Sequence, residues 1–160
     1  MEQEYVEDAA SMEDPLGLNV DLSQVDTSYP VCEAGIHACT VKALEVVPKK
    51  DDPSKRNIKA SFALTEAAPR AGMPGEFVNA GYVFVNYMPL QQSDNPNAPD
   101  FKVGLAKFLD AVLGTTEEDR PKTFPQPSEL IGLACNVVVK VEEDDVFGTR
   151  NNVGNVLAPE

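Results

Sequence analysis

The chain has 160 residues, 42% of them apolar and 24% charged, and its 26 acidic against 13 basic side chains leave a formal net charge of −13. That is ordinary globular content for one domain of roughly 100–150 residues, which argues against wholesale disorder. Apolar runs such as 81–85 and 137–139 fall far short of the ~20 residues of a membrane span, and the opening residues Met1, Glu2, Gln3 and Glu4 have neither the basic nor the apolar region of a secretion signal.

Residues 1–30 hold eight acids and no base, while residues 31–160 hold 18 acids against 13 bases. Residues 1–28 therefore read as an acidic arm and residues 29–160 as the domain. The arm's Glu2, Glu4, Glu7, Asp8, Glu13 and Asp14 suit a solubility tail or a partner-binding segment, and Leu16, Leu18, Val20, Leu22 and Val25 give it something to dock with.

Tyr29 and Pro30 close the arm, and Glu33, Ala34 and Gly35 turn into a first strand over 36–47. Ile36, Ala38 and Thr40 alternate with His37, Cys39 and Val41. The alternation changes phase near Ala43 and Leu44, which predicts a β-bulge, and Pro48 is expected to end the strand. Cys32, His37 and Cys39 lie close together, but zinc needs about four ligands and there is no second cluster. With Cys135 they make an odd number of cysteines with no CxxC, and read as small buried hydrophobes.

Residues 49–57 read as a polar loop holding Lys49, Lys50, Lys55 and Arg56. A second strand over 58–64 sets Ile58, Ala60, Phe62 and Leu64 on one face and Lys59, Ser61 and Ala63 on the other. A turn-rich stretch over 67–75 leads to a third strand over 77–87, in which Tyr82 and Phe84 share a face and Phe77 and Tyr87 lie opposite. Both faces are apolar, so each aromatic is either core or surface. After a loop over 91–100, a helix over 101–113 carries Val103, Leu105, Ala106, Phe108, Leu109, Val112 and Leu113 as a broad stripe, with Asp100 to cap it and Gly114 to end it. A helical turn at 128–132 and a fourth strand over 133–141 follow. An acidic loop over 142–148 and a fifth strand over 151–157 close the chain.

Three strands, a helix and two strands predict a mainly β fold, a five-stranded OB-fold-like antiparallel barrel with one helix between strands three and four. The chain contains no GxGxxG, P-loop, HExxH or GxSxG, so no enzymatic activity, metal or cofactor is expected. Five of the 13 bases fall within eleven residues, Lys49, Lys50, Lys55, Arg56 and Lys59. In that topology the loop joining strands four and five should lie beside them and bring Phe147 and Arg150. Bases there neutralise phosphates, and Tyr82, Phe84 and Tyr87 are the candidates to stack on nucleobases.

The order Tyr29, Pro30, Glu33, Ala34, Gly35, a strand, a lysine-rich loop and Ile58, Lys59, Ala60, Ser61, Phe62 resembles the opening of small single-stranded DNA-binding proteins of tailed bacteriophages. Asn86 and Tyr87, the helix from Gly104 to Gly114, Glu129 to Gly132 before a valine strand, and the late Asn151, Asn152 and Val153 extend the resemblance over roughly 29–158. It implies an OB-fold protein of phage replication or recombination that coats single strands in the host cytoplasm without chemistry. Single-stranded DNA, replication or recombination proteins at the acidic arm, and further copies of the chain are the implied partners. In many such proteins the acidic tail is C-terminal; here residues 155–160 are hardly acidic and the acids are N-terminal. A phage assembly component built on the same barrel, and an acidic DNA mimic or host inhibitor, are the competing readings.

Overall fold

The computed structural model describes residues 16, 17, 19, 21, 23, 30–145 and 148–159. The six named arm acids and Phe147 lie outside them. Among the described residues, seven strands and two helices follow one another: β1 (Gly35–Lys49), β2 (Asp52–Leu64), β3 (Ala68–Pro69), β4 (Phe77–Val78), β5 (Val83–Pro89), α1 (Lys102–Leu113), α2 (Pro127–Leu130), β6 (Ala134–Asp144) and β7 (Gly148–Leu157). The long strands form one antiparallel sheet in the order β5-β2-β1-β6-β7, while β3 and β4 make a separate two-stranded ribbon.

The alternation of apolar residues decides which face of the sheet turns inward. Ile58, Ala60, Phe62 and Leu64 of β2 are all buried, as are Cys39, Val41 and Leu44 of β1 and Cys135, Val137 and Val139 of β6. The phase change in β1 is a bulge: Val41 pairs with Phe62 and Ala43 with Ser61, leaving Lys42 without a partner on β2. α1 lies against this concave face. Phe108 meets Phe62 edge-on at 6.1 Å between ring centroids and stacks on Phe124 at 6.2 Å. The helix starts where Asp100 Oδ1 accepts the Lys102 N–H at 2.9 Å and ends at Gly114, whose φ of 71° is the left-handed cap conformation. Asp110, near its end, accepts Arg120 Nη2 at 2.7 Å and Thr115 Oγ1 at 2.8 Å. These bonds hold Asp110 below the usual carboxylate pKa and tie the next loop, which brings Phe124, to the helix.

The three thiols are free and buried. Burial pushes Cys32 and Cys135 up to about 11 and Cys39 to about 12, as expected of cysteines used as small hydrophobes. His37 stacks on Phe84 at 6.2 Å and bonds the Glu33 carbonyl at 2.7 Å, and no group of three or more His, Cys, Asp or Glu able to hold a metal occurs among the described residues.

Several expected boundaries move. Pro48 does not end β1; it pairs with Arg56, tolerated because β6 covers β1 only from Gly35 to Thr40 and leaves an open edge beyond. The polar stretch 49–57 is a hairpin rather than a loop, since Lys49 faces Asp52 across Lys50 and Asp51. Residues 53–55 bulge out, and Ser54 donates to Asp52 Oδ1 at 2.6 Å. The expected third strand is two, because Gly81, at φ 93°, turns the chain between β4 and β5. The turn-rich stretch before it contains β3. The acidic stretch after Val141 continues β6 to Asp144, with β7 starting at Gly148. Val103, placed in the apolar stripe, is 42% exposed.

Two differences concern architecture. The sheet is not closed into a barrel: β5 and β7 are its two edges and no ladder joins them. The two long hairpins do not lie side by side either. β6 runs antiparallel to β1, past Gly35, so the β6–β7 hairpin leaves the opposite end of β1 from the β1–β2 hairpin.

Candidate functional site

The open seam between β5 and β7 is concave. The edges β5 and β7 approach with Cα atoms within 8 Å of one another, but no backbone ladder joins them. Two lobes follow this seam, of about 500 and 630 Å³. Asn86 and Tyr87 line both, so the lobes form one cleft with β5 as one wall and β7 as the other.

The larger-walled end of the cleft is built by four elements. Lys49 and Lys55 come from the β1–β2 hairpin, Tyr87 from β5, Val103, Gly104 and Lys107 from α1, and Gly154 and Asn155 from β7. The loop after β5 completes the wall. It is held in place by amides: Gln91 Oε1 accepts the Arg56 N–H at 2.8 Å, Gln92 Oε1 accepts the Phe101 N–H at 3.1 Å, and Gln92 Nε2 donates to the Pro99 carbonyl at 3.0 Å. Gly154 is unpaired in a bulge, since Val138 faces Asn155 and Val139 faces Val153. A Cβ there would sit 3.1 Å from Lys140 Cε, so a side chain would press on the lysine stem that runs behind this wall.

Charge is unequal along the cleft. Lys55 pairs with Asp94 at 3.4 Å and Lys49 with Asp51 at 3.9 Å, both on the surface, where such pairs are weak and exchange readily. Lys107 has no ion-pair partner among the described residues. At the other end the cleft is lined by Val31, Tyr82, Phe84 and residues 149–152, with Arg150 its base. Cations thus stand on both sides of Tyr87, which is 54% exposed.

The aromatics divide. Phe84 is 3% exposed, between His37 and Tyr82, and belongs to the core. Tyr82 is half-buried; its hydroxyl donates to the Pro30 carbonyl at 3.0 Å, and burial raises its phenol pKa. Of these three rings, Tyr87 alone is exposed. Of the bases expected to act together, Lys49, Lys55 and Arg150 line the cleft. Lys50 and Arg56 are exposed on the hairpin outside it, and Lys59 pairs with Glu45 and Tyr87 across the outer face of the sheet.

Lys107, Gln91, Gln92 and Asn155 were not anticipated from the sequence. Gly104 and Lys107, a small residue and a base interrupting the apolar helix at i and i+3, carry the signal that one flank of α1 faces something other than core. No helix among the described residues is long and apolar enough to cross a membrane. No known protein-family model matches the chain, and no curated protein matches its sequence.

Proposed function

We propose that this chain is a single-stranded DNA-binding protein of phage type, and that the cleft between β5 and β7 is where the strand lies. The observation that carries the reading is Tyr87, an exposed aromatic in a cleft with Lys49, Lys55 and Lys107 on one side and Arg150 on the other. A nucleobase stacked on Tyr87 leaves its flanking phosphates directed to these cations, the combination by which single strands are held without sequence readout. The strand order β5-β2-β1-β6-β7 with α1 between the third and fourth long strands supports an OB-type barrel left open at one seam. The proposed role is non-catalytic coating of single strands in replication or recombination, in the host cytoplasm, with the acidic arm available to replication or recombination proteins.

The test compares a triple and a double substitution by fluorescence anisotropy on a labelled oligothymidine. Lys49→Gln, Lys55→Gln and Lys107→Gln together remove three cleft cations. They should flatten the dependence of log affinity on log salt by about 2, at about 0.7 for each phosphate no longer neutralised. Lys50→Gln and Arg56→Gln together, on the hairpin outside the cleft, should leave the slope near that of the wild type. Equal effects of the two sets would remove the cleft as the binding site.

A further inference from the structure

A short segment outside the main sheet is bonded to both walls of the cleft. Residues 30–33 run beside the β3–β4 ribbon: the Ala71 N–H donates to the Val31 carbonyl at 2.7 Å and the Glu33 N–H to the Pro69 carbonyl at 2.9 Å. Cys32 faces Arg70 in this bridge, so its own N–H and carbonyl point away from the ribbon. Asn151 of β7 meets them with its side chain in the place a further strand would take. Its Oδ1 accepts the Cys32 N–H at 2.8 Å, and its Nδ2 donates to the Cys32 carbonyl at 2.9 Å and reaches the Lys140 carbonyl at 3.4 Å.

The same segment is fixed to the opposite wall. The hydroxyl of Tyr82, the residue before β5, donates to the Pro30 carbonyl at 3.0 Å. The His37 ring bonds the Glu33 carbonyl at 2.7 Å and stacks on Phe84 of β5. Val31 is buried and lines the Arg150 end of the cleft, and Cys32 beside it is fully buried. A buried N–H and carbonyl need partners, and a side-chain amide supplies both an acceptor and donors from one residue. Alanine at 151 leaves both Cys32 groups unpaired.

We propose that residues 30–33 are a spacer that sets the width of the cleft at its Arg150 end, and that Asn151 is the positioning residue that locks the spacer to β7. No ladder joins β5 to β7, so their separation here follows from the bonds of the spacer to Tyr82 on one side and Asn151 on the other. Asn151 adjoins Arg150 in the chain, so the lock also fixes where that cation stands relative to Tyr87. The consequence for binding rests on the cleft being the single-strand site; the spacer itself does not.

Two measurements on the full chain test this. In Asn151→Ala, amide hydrogen exchange should quicken about 5- to 150-fold at the Glu33 and Ala71 N–H groups, the equivalent of two lost hydrogen bonds, although neither group bonds Asn151. The Val41 N–H, bonded to the Leu133 carbonyl, should exchange as in the wild type, which separates release of the spacer from general unfolding. Tyr82→Phe keeps the ring, removes one bond from the other wall, and should quicken the same two amides about 2- to 12-fold. On a labelled oligothymidine, Asn151→Ala removes no charge yet should flatten the dependence of log affinity on log salt by about 0.7, one phosphate contact, as Arg150→Gln does, and the two together should flatten it no further. Unchanged exchange at Glu33 and Ala71 in both variants would overturn the spacer. Quickened exchange with a wild-type salt slope, or slope changes that add in the double variant, would overturn the positioning of Arg150. If the wild type binds no oligothymidine, the proposed function falls and the exchange measurement alone decides the spacer.

Discussion

Replacing Phe108 by alanine tests whether α1 plugs the concave face of the sheet, the feature on which the whole cleft wall rests. Phe108 is 1% exposed and its ring touches Phe62 of β2 and Phe124 of the following loop. Truncating a buried phenylalanine costs about 3–5 kcal/mol. Both aromatic pairs, each worth about 0.5–1.5 kcal/mol within that total, go with it, which places the loss in the upper half of the range. For a chain of this size each kcal/mol lowers the melting temperature by about 2–4 °C, so thermal unfolding followed by circular dichroism should show a drop of about 8–20 °C. Phe108→Leu keeps most of the volume and loses the ring pairs, and should cost about 1–2 kcal/mol, a drop of roughly 2–8 °C. An alanine variant melting within about 3 °C of the wild type would mean that the helix does not seal this core.

Tyr87→Ala should weaken oligothymidine binding about 5- to 150-fold, the value of one stacked base at about 1–3 kcal/mol, while Tyr87→Phe stays within about twofold because the ring face is kept. Anisotropy titrations of both variants check this, and equal binding by alanine and wild type would contradict the stacking role. Asp110 has a depressed pKa when folded, through Arg120 first and then Thr115, so its contribution is present above its unfolded value near 3.9 and is lost as pH falls through the lower folded one. Asp110→Asn should therefore be less stable than the wild type at neutral pH, with the difference shrinking below about pH 4 in denaturant titrations.

The fold was legible where a local pattern met a one-sided environment. Ile58 to Leu64 alternates because one face of β2 meets the core, and the slip near Ala43 is visible because a bulge shifts that alternation by one residue. Gly114 follows the last apolar helical position, where only a left-handed residue ends the helix without strain. The tip at Lys50 and Asp51 was not legible, because polar residues there are held in strands by pairing across the hairpin rather than by burial. The break at Gly81 was hidden between two segments that both favour strand. Tyr82, Phe84 and Tyr87 could not be sorted by period, since which aromatic is open depends on His37, Pro30 and the far edge β7, all distant in sequence. The cleft itself was out of reach for the same reason: it exists because β5 and β7 approach without pairing. Lys107 becomes part of it only through the packing of Phe108.

Anisotropy of a labelled oligothymidine with the wild-type protein, from low to moderate salt, bears most directly on the assignment of the cleft. Four cations in contact with phosphates predict a slope of log affinity on log salt near about −2.8, a loss of roughly 50-fold between 50 and 200 mM. No binding at low salt, or binding that does not respond to salt, would contradict it.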